Sequence, residues 1–141
     1  MSTLAKNQPR AFEEGEINDL PVIANDIIYE GAAVGESSTT GTFRPLVAGD
    51  NFAGFATRKA DNTAVGAAAG DVNVNVKQKG KIQLSVTGVT GVTDEGSTVY
   101  ASDDDTFTLS STGNSAIGKI IRYVTSTTVI VAFEAVSRRS I

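Results

Sequence analysis

The chain has 141 residues, the length of one ordinary domain, and a formal net charge of −4. It contains no His, no Cys and no Trp, which excludes a His-based triad, a thiol nucleophile, a disulfide and a zinc site of the usual ligands. The acidic balance gives no electrostatic reason for binding nucleic acid. No apolar run approaches the ~20 residues that span a bilayer.

The kind of apolar residue predicts an all-β fold. The sequence holds 15 Val, 10 Ile and 16 Thr but only 5 Leu. β-Branched side chains are stiff at χ1 and suit a pleated, half-buried surface better than a helix. We therefore expect a single compact β-barrel or β-sandwich.

The sequence predicts that residues 1–21 form an extended arm, that residues 22–136 form the folded body, and that residues 137–141 form a short basic tail. The arm is polar, and Pro9 interrupts any helix within it. Its large apolar residues, Phe12, Ile17 and Leu20, fit neither the helix nor the strand period. They favour an arm that docks on a neighbour, although a merely frayed terminus fits the sequence equally well.

Short apolar runs separated by turn residues predict the strands of the body. The runs with ordinary strand length are Val22–Ala24, Ile27–Val34, Thr40–Leu46, Phe52–Arg58, Thr98–Ala101 and Thr106–Leu109. Between them, Ala64–Gly70 has side chains too small to pack as a strand and is predicted to be a loop or a single helical turn.

The segment Val72–Thr87 alternates apolar and polar residues almost without a break, which predicts one buried and one solvated face. A straight strand of this length would measure ~50 Å, too long for the domain, so we expect a bend at Gly80 or a turn with an odd number of residues. Lys77, Lys79 and Lys81 lie on the polar face. They are either an ordinary solvated surface or a basic stripe for an acidic partner.

The C-terminal pair, Ile117–Val124 and Thr128–Ala135, carries apolar residues at both parities. A strand covered on one side shows polar residues at every second position. We therefore expect cover on both sides, by a second layer or by another subunit. Ile120, Val124 and Ile130 are the candidate residues for a subunit interface.

Motifs that could carry chemistry are incomplete. Gly31–Thr39 has Glu36 where a phosphate-binding loop needs Lys, and Gly113–Gly118 has one residue too many for a nucleophile elbow. The acids at 94–95 and 103–105 do not match an EF-hand loop, and a solvated hairpin tip is the default interpretation; cation binding by Asp103–Asp105 stays open. We expect no catalytic residue, no cofactor and no metal site.

The order of several segments resembles the small capsid decoration, or cement, proteins of tailed bacteriophages. The segments are YEGAAVG, FAGFA, AGDVNVNVKQKGKIQLSV, GSTVYASDDDTFTL and IGKIIRYVTSTTVIVAFEA, and they cover about residues 27–135. The features shared with that family are a G-x-x-V-Y strand before an Asp-rich turn, an I-G entry into the penultimate strand and a valine-rich final strand.

This resemblance implies a β-barrel or β-tulip-like fold and a homotrimer on the outer surface of the virion, where it stabilises the lattice of the major capsid protein. It implies no enzymatic activity and no nucleic-acid or membrane partner. The arm residues would then contact the capsid or a neighbouring subunit. Another virion β-module, such as a head–tail joining, tail-tube or fibre-base protein, stays open from the residues alone, as does a phage glycan-binding or glycan-hydrolysing module.

Overall fold

The computed structural model describes residues 6–7, 15–37 and 41–136, and this part of the chain is built from strands. The strands are β1 (Ile17–Pro21), β2 (Ile27–Ile28), β3 (Ala33–Glu36), β4 (Phe43–Pro45), β5 (Asn51–Ala56), β6 (Ala60–Asp61), β7 (Asn73–Lys77), β8 (Lys79–Thr87), β9 (Thr98–Ala101), β10 (Phe107–Thr108), β11 (Ser115–Thr125) and β12 (Thr128–Glu134). Within these ranges the helical structure is one 3₁₀ turn at Val92–Asp94. Nothing there forms a helix long and apolar enough to cross a membrane. The all-β prediction is confirmed.

The strands form a closed barrel beside a curled sheet. The barrel order is β10-β8-β12-β11-β9, and it closes through a parallel pairing of β10 with β8. The sheet order is β1-β7-β5-β3-β4, and β2 and β6 form a separate two-stranded pair that packs against the sheet core. A bridge between Val22 and Phe43 brings the two edges of the sheet toward each other, so each half encloses a core of its own.

Two clusters of buried apolar side chains fill these halves. The barrel cluster consists of Ala33, Leu46, Phe52, Phe55, Val86, Val89, Val99, Ala101, Phe107, Ile117, Ile120, Val129, Val131 and Phe133. The sheet cluster consists of Leu20, Val22, Ile28, Ala32, Val34, Phe43, Ala53, Ala56, Ala60, Val74 and Val76. Because the sheet also supplies residues to the barrel cluster, the halves are packed into one body.

Strand β5 is the wall between the two cores. A register shift against β3 inserts one extra residue, so Phe52 and Phe55 both face the barrel although they are three positions apart. Ala53 and Ala56 face the sheet cluster. Gly54 has φ +124°, and a Cβ there would collide with the backbone carbonyl of Lys77, so this bulge requires glycine.

The long alternating segment crosses from one half to the other, but its break differs from the predicted one. It divides at Gln78, two residues before Gly80, into β7 of the sheet and β8 of the barrel. Gln78 is 2% exposed, donates its N–H to the Glu16 carbonyl and accepts the N–H of Ala135, each at 2.7 Å. These tertiary hydrogen bonds, which no local pattern reveals, place the break there.

The outer face of the C-terminal hairpin is open in the single chain, so a second layer does not cover it among the described residues, and cover by another subunit stays a prediction. Register shifts in β11 leave Ile121 and Val124 without partners on β12 and turn Ile120 into the core. The bulges switch the parity of β11, which is why both parities are apolar in the sequence. Ile121 and Val124 are 38% and 44% exposed, so the outer face of the hairpin is uncovered in the single chain.

The predicted boundary between arm and body at residues 21 and 22 is also displaced. Ile17–Pro21 pair with β7, and Leu20 is fully buried in the sheet cluster. The sequence pattern did not reveal this strand, because β1 is short and forms through hydrogen bonds to β7, which is far away in the chain. Residues 1–5, 8–14 and 137–141 lie outside the described residues, so the predictions for the rest of the arm and the tail remain predictions.

Other predicted strands are cut by turns. The run Ile27–Val34 divides into β2 and β3, because the N–H of Ala32 donates to the Tyr29 carbonyl at 3.1 Å and closes a turn. Of the predicted Val22–Ala24, only Val22 forms a bridge.

Asn62 ties two loops to the sheet. Its side chain is 1% exposed, and its Nδ2 donates to the carbonyls of Val22, Ile23 and Ala68 at 3.0–3.3 Å. Its backbone also bonds to the 25–26 turn. A buried amide that satisfies three carbonyls holds these loops in one arrangement.

The substitution Val131→Asp tests one-sided burial of β12. Val131 is fully buried, so an unpaired carboxylate there should cost ~3 kcal/mol or more, measured by urea unfolding. Ile130→Asp is the matched control, because Ile130 is half-buried on the outer face and should lose less than ~1 kcal/mol. Equal losses at both positions would contradict the assigned faces.

Removal of the Asn62 amide should loosen both loops. Asn62→Ala removes a donor that three carbonyls share. The Val22 and Ala68 carbonyls keep the N–H groups of Gly70 and Asp71, but the Ile23 carbonyl loses its donor, and we expect a loss of about 1–3 kcal/mol in the free energy of unfolding. Asn73→Ala on the exposed side of β7 is the control and should change little. A loss at Asn62 no larger than that at Asn73 would show that the amide is not needed.

Candidate interaction surface

The structure divides the predicted lysine stripe between two strands. All three lysines are exposed, but Lys77 is on β7, whereas Lys79 and Lys81 are on β8 of the barrel. The Lys77 ammonium lies 3.9 Å from the Glu16 carboxylate, and both side chains are about half exposed. Lys77 therefore has an acid beside it, and the barrel lysines form a separate group.

A cross-strand row on the outside of the barrel brings in a further lysine. Ala132 of β12 pairs with Lys81 on one side and with Lys119 of β11 on the other. The two lysines are thus two strand spacings apart, ~10 Å between Cα atoms. One step along the barrel, Glu134 pairs with Lys79, an opposite-charge pair that stabilises the sheet.

Around this row lies an open concavity of about 580 Å³, which we call the lysine concavity. Its lining includes Lys79, Lys81, Lys119, Glu16, Glu134, Val136, Gly80, Gly118, Ala116 and Ala132. Its floor includes small residues, and Thr98, Ile117 and Phe133 also line it. Gly118 is required because a Cβ there would collide with the carbonyl of Ala132, so the glycine allows β11 and β12 to approach closely under the concavity.

The Asp-rich turn, residues 102–106, forms a second charged surface. The carboxylate of Asp103 accepts the N–H of Asp105 at 2.8 Å and the hydroxyl of Thr106 at 3.0 Å. The N–H of Ala33 donates to the Asp104 carbonyl at 2.9 Å, which fixes the turn against β3. The acids therefore have a structural part in closing and docking the turn.

Beside the turn is a cavity of about 350 Å³ that Asp104 and Asp105 line together with Tyr29 and Glu30. Lys59 lies over the Tyr29 ring, 5.3 Å from its centroid. Within the part of the chain that the structure describes, no group of three or more acidic side chains is arranged to hold a metal ion. The question of a cation at Asp103–Asp105 gains no support from the geometry.

The pKa of Asp104 is raised above its ordinary value of 3.8. Partial burial is the largest cause, and the neighbouring carboxylates of Asp103, Asp105 and Asp26 add to it. The turn therefore carries several negative charges close together, one of them partly buried.

The candidate residues for partner contacts are scattered by the fold. Phe12 lies outside the described residues, Ile17 is half-buried in β1, and Leu20 is in the sheet core. Ile120 is 1% exposed, so the prediction that it lies at a subunit interface is wrong for the chain in this conformation. Val124 is exposed and Ile130 is half-buried, both on the hairpin.

Sequence reasoning missed Lys119, Ile121 and the small-residue floor. Lys119 is 38 residues from Lys81 in sequence, and only the β8-β12-β11 order and register bring the two to one row. Lys119 follows Gly118 directly, but a lone lysine after a glycine carries no signal of this kind.

Comparison with known proteins found no match to a family model, a curated protein or a solved structure.

Substitution of Asp104 should reveal the crowded charge through the pH dependence of stability. A raised pKa means that the native state holds the carboxyl proton more tightly than the unfolded chain, so ionisation costs stability. The cost is absent below the unfolded value of 3.8, grows as the pH rises through it and is complete above the raised native value. Asp104→Asn should therefore stabilise the protein at pH 7, by less than ~1 kcal/mol because solvent still screens the group.

Urea unfolding of Asp104→Asn at pH 7 and at pH 3 measures this effect, and the gain should vanish at the lower pH. Glu30→Gln removes one charge from the rim of the same cavity and is the control, with a smaller change expected. A gain of equal size at both pH values would show that the amide acts through packing rather than charge.

Proposed function

We propose that the chain is a structural protein of a tailed-phage virion, which binds the outer surface of the capsid as a homotrimer and stabilises the major capsid protein lattice. The observation that carries the proposal is where the family-like segments lie in the fold. The segment FAGFA belongs to β5, the strand between the two cores, and the segment at 69–86 contains the crossing from β7 to β8. The segment at 96–109 contains β9, the Asp-rich turn and β10, and the segment at 117–135 contains the β11–β12 hairpin. The resembling segments thus include strands of both the sheet and the barrel.

The chemistry of the chain supports a binding role without catalysis. It has no His or Cys to act as base or nucleophile, and its Ser115 is engaged in the structure, where its hydroxyl accepts the N–H of Gly49 at 3.0 Å. The net charge of −4 argues against nucleic acid as a partner. The proposed partners are therefore the major capsid protein and other copies of the chain.

The architecture suits a protein that bears load. Two cores share the β5 wall, so separating the halves would expose aromatic side chains of the barrel cluster. The free edge of β1 offers few donors, because Pro21 has no N–H and the N–H of Asp19 donates to its neighbour Asn18 at 2.9 Å. Such an edge discourages unintended strand pairing, which matters for a protein that coats a surface at high local concentration.

Trimerisation would multiply weak contacts. Three copies joined at one lattice point engage three matching sites together, so the overall affinity exceeds that of one contact by a large factor. This is the physical reason for a small protein to act as a trimer on a repeating surface.

The experiment combines light scattering of the purified protein with co-sedimentation on mature heads of the phage that encodes it. We expect a trimer in solution and saturable binding to heads, with electron microscopy showing density over the whole head. Density at one vertex or along the tail would instead indicate a joining, tail-tube or fibre-base protein. A strictly monomeric chain that does not bind to phage heads would overturn the proposal.

Phe12 provides a prediction about the arm. Phe12→Ala should weaken binding to heads, because it removes the largest apolar side chain from residues 1–16, without lowering the free energy of unfolding. Leu20→Ala is the contrasting variant, since it truncates a fully buried residue and should destabilise the fold by about 2–5 kcal/mol. Head binding unaffected by Phe12→Ala would remove this residue from the contact.

A further inference from the structure

We propose that the lysine concavity of one copy receives the Asp-rich turn of a second copy, so that copies of the chain associate through two different, oppositely charged surfaces. The inference rests on the self-association in the proposed function and names the surfaces that produce it. It replaces the predicted interface at Ile120, which is in the core.

The basic side has cations without partners of opposite charge. Lys81 and Lys119 flank Ala132, and the ion pairs within the described ranges, Arg44–Asp50 and Lys77–Glu16, include neither. The carboxylates on the rim of the concavity lie toward its other end, where Glu134 is opposite Lys79 and Glu16 is near Lys77. An anionic group over Ala132 would lie between two ammonium groups.

The Asp-rich turn carries the opposite charge. Asp105 and Glu30 are exposed on the rim of one cavity, which the partly buried Asp104 also lines. Burial, and after it the neighbouring carboxylates, raise the pKa of Asp104, so the turn carries negative charges close together. Bringing ammonium groups against the turn would relieve the repulsion on both surfaces at once.

The shapes also permit the contact. The turn is held rigid by the Asp103 side chain and by the bond from Ala33, so docking would cost little conformational entropy. The concavity is open and has a volume of about 580 Å³, which leaves room for a short turn. Asp104 and Asp105 of the turn offer two carboxylates to Lys81 and Lys119, the two lysines that the ion pairs above do not include.

Contacts between two different surfaces generate rings when the rotation between copies closes, and filaments when it does not. A ring of three copies would use every concavity and every turn, and would leave the exposed outer face of the β11–β12 hairpin at Ile121 and Val124 for other contacts. The proposed trimer and this interface are therefore compatible.

Charge reversal on the full-length chain tests the interface. One variant carries Lys81→Glu and Lys119→Glu, a second carries Glu30→Lys and Asp105→Lys, and a third combines all four changes. All four side chains are exposed, so the fold should tolerate them. Arg58→Glu, an exposed reversal outside both cavities, is the control.

Sedimentation equilibrium should show that each double variant associates at least about tenfold more weakly than the wild type, and that the four-change variant recovers association. Association of the wild type should fall with added salt, as the screening length shortens from ~30 Å at 0.01 M to ~3 Å at 1 M. Arg58→Glu should associate like the wild type.

Three results would overturn the inference. A wild type that stays monomeric at all concentrations would remove the interface and the proposed homotrimer with it. A wild-type oligomer that both double variants retain would leave self-association intact and refute these surfaces alone. Oligomers retained by the lysine variant, together with lost binding to phage heads, would assign the concavity to an acidic segment of the capsid protein instead.

Discussion

The contact of Phe52 and Phe55 with Phe133 is the interaction on which the rest of the structure depends. The ring centroids lie 4.9–6.2 Å apart in edge-to-face arrangements, and the three rings come from the wall strand β5 and the barrel strand β12. This contact makes one body of two halves that each have a core. It also requires the bulge at Gly54, because without the extra residue the two β5 phenylalanines would face opposite sides.

β-Bulges, in which an inserted residue changes the parity of a strand, decide which side chains are exposed as well as which are buried. In β11 the bulges turn Ile120 inward and leave Ile121 and Val124 exposed. Gly118, which must be glycine because of the Ala132 carbonyl, lets β11 and β12 approach closely at the floor of the lysine concavity. Packing demands in the barrel therefore decide which apolar residues reach solvent and where a neighbouring backbone can approach.

Three lysines line one concavity of the chain, and acids of the Asp-rich turn line a second cavity. Lys81 and Lys119 face solvent across a small alanine, and the acids of the turn at 102–106 crowd one another near Glu30. In the proposed interface, each surface meets the opposite charge on a second copy of the chain.

The sequence by itself determined the all-β class, the alternation in 72–87, the Asp-rich turn and the hairpin at the C-terminus. These follow from β-branched composition, period-2 patterning and turn residues, which act over a few neighbouring positions. Only the tertiary structure decided that β1 belongs to the sheet, that the chain changes sheets at Gln78, that Ile120 is buried and that Lys119 joins Lys81. The physical reason is that strand order, register and bulges are set by hydrogen bonds and packing between residues far apart in the chain, which a local pattern does not encode.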